Sequence, residues 1–565
     1  MTSPISPRRL YFSMGVLGVL LLLVLAQAVR IQIVEAQRFA QQAERQQHVT
    51  RYDIAPRGRI FDSYGTPLAI SRRAFSVRVD LERRDQIDAR ALAERLAAAT
   101  GESPQVLEQR IRAIQASPSP TSTLLAFALT PQEAHHLTAT LDARQQTWIV
   151  VEPHWWRVYP QGQIAAPLLG FVGFDQDGFL GVEHYYNREL KSRAGLRYER
   201  SRTDVAVVSP TIEGADLVLT LDLELQTYAE NRLRRALEET NARAGMIAVM
   251  EVRSGAILAS ASAPSFDPNL VFFREGSEGV QDPLVSAVYE PGSVLKVATL
   301  AAALDAGVAT TATVYNDEGR LVVSDFRVYN ANRARYGALT PEDILAVSSN
   351  VAVAQVALSL GEERFVAYMQ RFGFGSRTGI DLAHELPGAL LTPSDPRWRR
   401  ADLLANSYGQ GILVTPIQLL NAYNALANDG LLMQPYVVRE WRTETGEVIM
   451  KRPTPIAYVV RPETARTIRR LMARALQRGH PDALPPRHTA AGKTGTAEWY
   501  KDGKKQDTTI VTFVGFVPAE QPRVTILVRL DEPRSSRWAG PTTTPVFRDV
   551  AAYAAHRLGI PPDRP

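Results

Sequence analysis

The chain opens with an apolar run over residues 10–29, interrupted only by Ser13, two glycines and Gln27. Its length matches one helical crossing of a lipid bilayer. Arg8 and Arg9 precede it, and the positive-inside rule places the cationic end of such a helix in the cytoplasm. The pattern predicts a cytoplasmic tail at residues 1–9, a transmembrane helix at 10–29 and an outer location for everything that follows.

A cleaved signal peptide is the competing interpretation of this run, because Ala26-Gln27-Ala28 resembles a signal-peptidase site. The apolar stretch is longer than a typical signal core, and residues 30–39 continue a helical pattern without a break. Both features favour an uncleaved anchor. No later segment of the sequence is long and apolar enough for a second crossing.

Residues 30–215 carry a mixed pattern that predicts an extended module of strands and short helices. Alternation over residues 57–81, with a turn at Tyr64-Gly65, indicates strands. Helical periodicity covers residues 89–99, 104–114 and 131–141, and a Ser/Pro-rich loop lies at 117–122. No cluster of catalytic residue types is evident in this module.

A second module is predicted over residues 216–565, with strands at both ends and helices between. A short strand leads into a long helix at 224–239, and a hairpin follows at 246–252 and 256–261. Residues 293–427 are mainly helical, whereas 490–500, 508–517 and 523–530 are strands before a closing helix at 544–558. The fold class is therefore α/β (α+β), with one antiparallel five-stranded sheet covered by a cluster of helices.

Composition narrows the possible chemistry. The 565 residues include no cysteine, which excludes disulfides, thiol catalysis and cysteine metal sites. The net charge of +5 is small for this length and indicates no nucleic-acid partner. Of 64 basic residues only seven are lysine, so a lysine is a candidate for a position where arginine, which does not deprotonate, cannot serve. Codon bias explains the arginine excess equally well.

Three short motifs carry candidate chemistry, and each occurs once. They are Ser293-Val294-Leu295-Lys296, Ser348-Ser349-Asn350 and Lys493-Thr494-Gly495. On a helix, Ser293 and Lys296 lie one turn apart on the same face. If that face is buried, desolvation lowers the pKa of the lysine and allows it to take the serine proton.

The other two motifs suit supporting roles around that serine. A serine at a helix start exposes its backbone N–H as half of an oxyanion hole, and the N–H of Thr496 can supply the other half. Side chains of Lys493, Thr494 and Thr496, with Gly495 between them, could hold a substrate carboxylate. Ser348 would shuttle the proton and Asn350 would hold a peptide amide.

Each motif also has a purely structural interpretation. Ser293 could be an ordinary N-cap, residues 348–350 a polar helix terminus, and Lys493 part of a solvated hairpin like Lys501, Lys504 and Lys505. The glycines of residues 372–379 lack the strand–turn–helix setting of a dinucleotide loop and are interpreted as structural. The nine histidines show no metal-ligand spacing, so neither a metal nor a cofactor is expected.

In this order, the three motifs resemble those of the penicillin-binding proteins. Tyr289-Glu290-Pro291-Gly292-Ser293 is similar to the approach to the family's nucleophile, and the stretches 409–411 and 415–419 resemble its segment between the second and third motifs. Residues 57–62, 157–160 and 181–183 are similar to the outer module of class B, termed the pedestal. The resemblance implies a single transmembrane helix, an elongated mixed pedestal at residues 30–215 and a serine-transferase fold at 216–565.

The resemblance implies D,D-transpeptidation of peptidoglycan. Ser293 would attack the penultimate D-Ala carbonyl of a stem peptide, and an amine of a neighbouring stem would resolve the acyl-enzyme. It further implies β-lactam binding, a place in the bacterial cytoplasmic membrane with the catalytic domain outside, and a SEDS-family glycosyltransferase partner with divisome or elongasome proteins. The subclass resembles the division type more than the elongation type, although Ala165-Ala166-Pro167 carries proline where histidine is expected, and Val294-Leu295 is a mild variant.

Two rival functions remain open at this point. A β-lactamase or β-lactam sensor would share the three motifs, but the sequence lacks a Glu-x-x-Leu-Asn element for activating water, and such an enzyme has no use for a large pedestal. A non-catalytic scaffold would tether a wall-building complex, but it would not need intact motifs.

Overall fold

The computed structural model describes residues 7–38, 49–79, 88–100, 102–116, 123–141, 149–199, 205–270, 281–443, 445–501 and 504–564. Residues 1–6 of the expected tail, the expected loop at 117–122 and the turn at 502–503 lie outside the described residues. The chain divides into two compact units, Met1–Ala55 with Ser192–Glu213, and Pro56–Lys191 with Gly214–Pro565.

The first unit contains the apolar N-terminal helix. An α-helix over Pro7–Val29 leads into a π-helical turn, Arg30–Val34, and then a bend at Glu35. The expected unbroken helix through residue 39 is therefore interrupted. The segment Leu10–Ile33 is long and apolar enough to cross a membrane, the only such helix among the described residues. The same unit holds an antiparallel sheet of three strands, Val49–Asp53, Gly195–Glu199 and Val205–Ser209.

The second unit begins with a seven-stranded mixed sheet. Its strands are Ile60–Phe61, Pro67–Val79, Thr123–Leu129, Ile149–Val158, Asp216–Leu219, Val438–Arg442 and Val448–Met450. Helices Ala89–Thr100, Pro104–Ala116 and Pro131–Thr140 pack their apolar faces on it, around Val77 and Leu129. Leu217 pairs in parallel with Ile60, so this sheet joins segments that lie far apart in the chain.

Three separate sequence stretches between residues 57 and 183 meet in one buried ion cluster. Glu183 is fully buried, and its two carboxylate oxygens accept hydrogen bonds from Nε of Arg57 and Nε of Arg157, each at 2.7 Å. The Tyr159 hydroxyl also donates to Glu183, at 3.2 Å. Burial alone raises the pKa of Glu183, but the two guanidinium groups outweigh it and the pKa falls below its ordinary value.

Replacing Glu183 by glutamine should therefore destabilise the protein strongly. The change leaves two buried guanidinium groups without their counter-charge, which should lower the free energy of unfolding by about 3 kcal/mol or more. Glu152→Gln is the matched control, because Glu152 also pairs with an arginine, Arg78, but its side chain is 53% exposed. This variant should change the free energy of unfolding by less than about 0.5 kcal/mol. Urea unfolding of the two variants and the wild type measures the difference. Equal stability of Glu183→Gln and the wild type would contradict a structural role for the cluster.

The five-stranded antiparallel sheet that the sequence predicts is present. Its strands, in spatial order, are Ile257–Ala263, Ala244–Glu251, Val524–Asp531, Lys504–Val517 and Ala491–Lys501. Alternate side chains of each strand enter two separate cores, as Met246 and Ile247 illustrate. Among the described residues, the strand Ala491–Lys501 lies at the edge of the sheet and pairs with one neighbouring strand.

Helices cover both faces of this sheet. Leu223–Thr240 and Ala539–Arg557 pack on one face. On the other face lie Lys296–Asp305, Pro341–Val347, Asn350–Leu360, Glu362–Arg371, Arg400–Ser407, Pro416–Ala427 and Pro462–Gly479. The closing helix begins at Ala539, earlier than predicted, and continues through Pro545.

The predicted helical middle also contains short strands that the sequence pattern did not reveal. They are Tyr315–Asp317, Arg320–Val323, Phe326–Tyr329 and Gly337–Leu339, which form two small antiparallel sheets. Each is only three or four residues long, too short for a clear period of two. The last residue of the first strand, Asp317, is almost completely buried.

Candidate active site

A single 3₁₀ turn, Gly292–Leu295, presents Ser293, and we refer to it as the nucleophile turn. It runs directly into the α-helix Lys296–Asp305. Residues three apart eclipse in a 3₁₀ helix, so Ser293 and Lys296 lie on one face, as the sequence spacing predicts. The Ser293 side chain caps neither helix, which argues against its interpretation as an ordinary N-cap.

The edge strand Ala491–Lys501 packs directly on the nucleophile turn through two glycines. A Cβ on Gly495 would lie 2.7 Å from the carbonyl oxygen of Pro291 and 2.9 Å from a methyl group of Val294. Gly292 has φ +60°, and a Cβ there would lie 2.8 Å from the carbonyl oxygen of Thr496. Both positions therefore require glycine, and this close contact brings Thr496 beside Ser293.

Lys296 is completely buried, and its ammonium group contacts the second motif. Its Nζ donates to the carbonyl oxygen of Ser348 at 2.5 Å and lies 3.1 Å from Ser348 Oγ. Burial lowers the pKa of Lys296 well below its ordinary value, the nearby Lys493 lowers it further, and Asp317 opposes both. Within the described residues, no hydrogen bond joins Lys296 Nζ to Ser293 Oγ.

The second motif is a tight link between two helices. Ser348 ends the helix Pro341–Val347 in the left-handed region, with φ 58°. Ser349 caps the next helix, Asn350–Leu360, by accepting from the Ala352 N–H at 2.9 Å. The Asn350 side-chain amide donates to the Tyr329 carbonyl oxygen at 2.9 Å, which fixes its orientation. Ser348 therefore faces Lys296, whereas the Asn350 amide nitrogen has a protein partner.

The third motif lies on the edge strand. Lys493 is buried, and burial lowers its pKa to about 8. Its Nζ lies 3.2 Å from the carbonyl oxygen and 3.4 Å from the hydroxyl of Thr494. The Thr496 hydroxyl accepts from the Ala539 N–H at 3.2 Å. The structure thus excludes a solvated hairpin position for Lys493.

Three residues at this site escaped sequence reasoning. Nε2 of His480 lies 3.3 Å from the Thr494 hydroxyl, and its pKa is lowered by burial and then by Lys493. Asp317 and Asn330 lie behind the second motif and bond to Ser349 and Asn350. None belongs to a short motif, because each reaches the site from a distant segment, so only the tertiary structure could reveal them.

The segment that resembles the family between the second and third motifs supports the nucleophile turn. The Gly292 N–H donates to the Gly409 carbonyl oxygen at 3.0 Å, and the Gly411 N–H donates to the Glu290 carboxylate at 2.8 Å. Thr415 caps the helix Pro416–Ala427. Phe372 and Phe374, which flank Gly373 among the glycines set aside as structural, are buried in the core.

Two protein-family models match the sequence of this chain. The penicillin-binding protein transpeptidase domain matches residues 245–552, and the penicillin-binding protein dimerisation domain matches residues 52–219. The chain belongs to the penicillin-binding protein transpeptidase family. Its predicted resemblance to class B and its predicted enzyme class, a serine-type D-Ala-D-Ala transpeptidase, are thereby confirmed.

Individual relatives are similar over most of the chain. Stage V sporulation protein D of Bacillus subtilis is 33% identical over 420 residues, which cover 72% of this chain and 65% of that protein. The peptidoglycan D,D-transpeptidase FtsI of Escherichia coli K12 is 27% identical over 523 residues, covering 90% and 84%. The crystal structure of penicillin-binding protein 3 from Mycobacterium tuberculosis with aztreonam has a TM-score of 0.70 at 25% identity, covering 91% of this chain and 99% of that one.

These comparisons also confirm the fold class, a penicillin-binding α/β fold preceded by an apolar helix. With the N-terminal helix, membership of the family supports a single-pass membrane protein. The roles of individual side chains, the domain boundaries and the partners stay predictions.

Proposed function

We propose that this protein cross-links peptidoglycan stem peptides through an acyl-enzyme on Ser293. The observation that carries the proposal is the meeting of three distant motifs around the nucleophile turn: Lys296 contacts Ser348, and the edge strand with Lys493 packs on Gly292. A substrate peptide bound along this edge strand would place its carbonyl group beside Ser293.

Acylation begins with proton transfer from Ser293. Lys296 in its neutral form accepts the Ser293 proton, directly as the substrate binds or through the Ser348 hydroxyl, which lies 3.1 Å from Lys296 Nζ. Ser293 Oγ then forms a bond to the penultimate D-Ala carbonyl carbon, the peptide bond breaks, and the departing D-Ala amine takes the proton. In the second half, the acceptor amine attacks the ester, loses a proton to the same relay and releases Ser293.

The edge strand binds the substrate and stabilises its charge. Lys493 keeps its positive charge near neutral pH, because its pKa is about 8, and attracts the terminal carboxylate of the stem peptide. The hydroxyl groups of Thr494 and Thr496 add hydrogen bonds to that carboxylate, and Gly495 permits the close approach. The backbone N–H groups of Ser293 and Thr496 form the oxyanion hole, while Asn350 holds the peptide amide.

β-Lactams are the second ligand class that we assign to this site. The mycobacterial penicillin-binding protein 3 was crystallised with aztreonam, and its fold matches this chain over 91% of its length. A strained cyclic amide with a carboxylate presents the same two groups as the stem peptide. Ser293 would open the ring and remain acylated.

The test of this function uses the purified full-length protein in detergent. Incubation with a D-Ala-D-Ala stem peptide and a second stem bearing a free amine should give free D-Ala and the amide-linked dimer in equal amounts. D-Ala release without dimer would support a hydrolase. No release, with no labelling by a fluorescent penicillin, would favour the scaffold.

The wider setting is also proposed. We assign residues 30–215 to the pedestal and 216–565 to the transpeptidase domain, and place the anchor in the bacterial cytoplasmic membrane. A SEDS-family glycosyltransferase would pair with the anchor and pedestal during septal wall synthesis, with an elongation-type role as the alternative. Copurification of such a polytopic partner from septal rather than lateral wall complexes would discriminate between the two.

Membrane orientation is directly testable, because the chain has no cysteine. We expect a single cysteine at Ser3 to resist an impermeant thiol reagent in spheroplasts and one at Gln42 to react. The cytoplasmic tail is protected and the pedestal is accessible, so the two variants serve as controls for each other. A mature N-terminus between residues 27 and 30 would establish cleavage and refute the anchor.

A further inference from the structure

A buried carboxylate lies behind the second motif. Asp317 is 1% exposed and ends the strand Tyr315–Asp317, far in sequence from every motif. It accepts four hydrogen-bonding contacts: Asn330 Nδ2 lies 2.9 and 2.7 Å from its two oxygens, the Ser349 hydroxyl donates at 2.6 Å, and the Gly319 N–H donates at 2.8 Å. Every partner is a donor, an arrangement that suits an ionised carboxylate.

Asn330 transmits the position of Asp317 to the second motif. Its side-chain oxygen accepts from the backbone N–H groups of Asn350 at 2.8 Å and Val351 at 3.1 Å. These are free N–H groups of the first turn of the helix Asn350–Leu360. Asp317 holds the amide nitrogen of Asn330, so the Asn330 side chain cannot exchange its nitrogen and oxygen positions. The oxygen of Asn330 therefore holds the start of this helix in a fixed position.

This bonding determines where Ser348 meets Lys296. Ser348 immediately precedes the capped turn and has φ 58°, a strained conformation that residues other than glycine rarely adopt. The carbonyl oxygen and hydroxyl of Ser348 both contact Lys296 Nζ. The chain of contacts therefore runs from Asp317 through Asn330 and Ser349 to Ser348 and Lys296.

Asp317 also supplies a negative charge that acts on the buried ammonium group of Lys296. The charged groups that act on Lys296 are Lys493, on the edge strand, and Asp317. The helix Asn350–Leu360, packed against the Lys296 helix, has no titratable side chain. Lys493 favours the neutral form of Lys296 and Asp317 favours the charged form, so the two oppose each other.

We infer that Asp317 is a positioning residue for acylation, which fixes residues 348–350 through Asn330 and Ser349 and balances the charge of Lys493 around Lys296. The inference rests on the proposed function, since it concerns the same serine and lysine. It assigns Asp317 no contact with the substrate.

The test is the pH profile of the acylation rate constant, measured with a fluorescent penicillin on the full-length protein. Asp317→Asn removes the charge, so Lys296 becomes neutral at lower pH, and the rising limb of the profile should move to lower pH. The ratio of the rate at roughly pH 6 to that at roughly pH 9 should rise, while the maximum rate falls by roughly tenfold because the second motif shifts.

Two further variants separate charge from position. Ser349→Ala keeps the Asp317 carboxylate but removes one of its hydrogen bonds. It should lower the maximum acylation rate without moving the rising limb of the pH profile. Asp325→Asn makes the same chemical change on an exposed turn of the neighbouring hairpin. It should leave both the maximum acylation rate and the position of the rising limb unchanged. If Asp317→Asn does not fold, Asp317→Ser removes the same charge with a smaller side chain.

The outcomes are distinguishable from failure of the proposed function. A wild-type protein that is not acylated at all refutes the function itself. The inference is overturned if the wild type is acylated normally and the folded Asp317→Asn variant shows no shift of the rising limb of its pH profile. Failure of both Asp317 variants to fold also overturns it, because Asp317 would then serve the fold alone.

Discussion

Ser293→Ala is expected to abolish covalent labelling by penicillin completely. Acylation needs an oxygen nucleophile at this position, and Ser293 is the only serine of the sequence that stands three residues before a lysine. Residual non-covalent binding should survive, because the edge strand with Lys493 is untouched. Gel fluorescence after denaturation measures the covalent product, and mass spectrometry of a tryptic digest locates it.

The same substitution should leave the fold intact. The Ser293 side chain caps neither the nucleophile turn nor the following helix. Its loss should therefore change stability by less than about 1 kcal/mol. Thermal unfolding of the variant should match the wild type, and adding penicillin should raise the midpoint of the wild type more than that of the variant.

Ser349→Ala is the matched comparison, because it removes a hydroxyl from a motif serine that is completely buried and bonded to Asp317. It should retain labelling. Labelling that persists in Ser293→Ala, or that is lost only in Ser349→Ala, would remove Ser293 as the nucleophile.

Lys296→Arg is expected to lower the acylation rate by roughly 10²-fold or more, the scale of general-base loss. Burial and Lys493 hold the pKa of Lys296 far below its ordinary value, so the lysine can be neutral when Ser293 must lose its proton. Arginine keeps its proton at all accessible pH values. The positive charge is preserved, and the base is removed.

A steric clash of the larger arginine side chain is the alternative explanation for such a loss of activity, because Lys296 is completely buried. Lys296→Met removes the base without adding the planar guanidinium, and should lose activity to the same extent. Lys191→Arg is the control on a lysine whose side chain is 39% exposed, and it should retain full activity. A near-normal acylation rate in either Lys296 variant would remove this lysine from the mechanism.

Lys493→Arg should have an intermediate effect with a distinct pH signature. The wild-type rate should decline as pH rises through about 8, because Lys493 then loses the charge that attracts the substrate carboxylate. Arginine stays charged, so the decline should disappear in the variant even though its altered geometry lowers the maximum.

Much of this protein could be predicted from local sequence pattern. The apolar run, the five strands of the sheet and the long helices follow from periodicity, which depends only on neighbouring residues and the burial of one face. The three motifs were recognisable because their spacing is a property of one turn of helix or one strand. Ser293 and Lys296 illustrate this: the same i, i+3 spacing works in the 3₁₀ turn as in an α-helix.

The rest required the tertiary structure, because it depends on contacts between distant segments. Pattern indicated neither the short strands of residues 315–339 nor that Asp317 and Asn330 fix the second motif. The sequence suggested that Lys296 faces Ser293, whereas the fold bonds it to Ser348. The amino-acid sequence by itself determined which residues could do the chemistry. Burial and long-range hydrogen bonds, which no local window contains, decided their charge states and their positions.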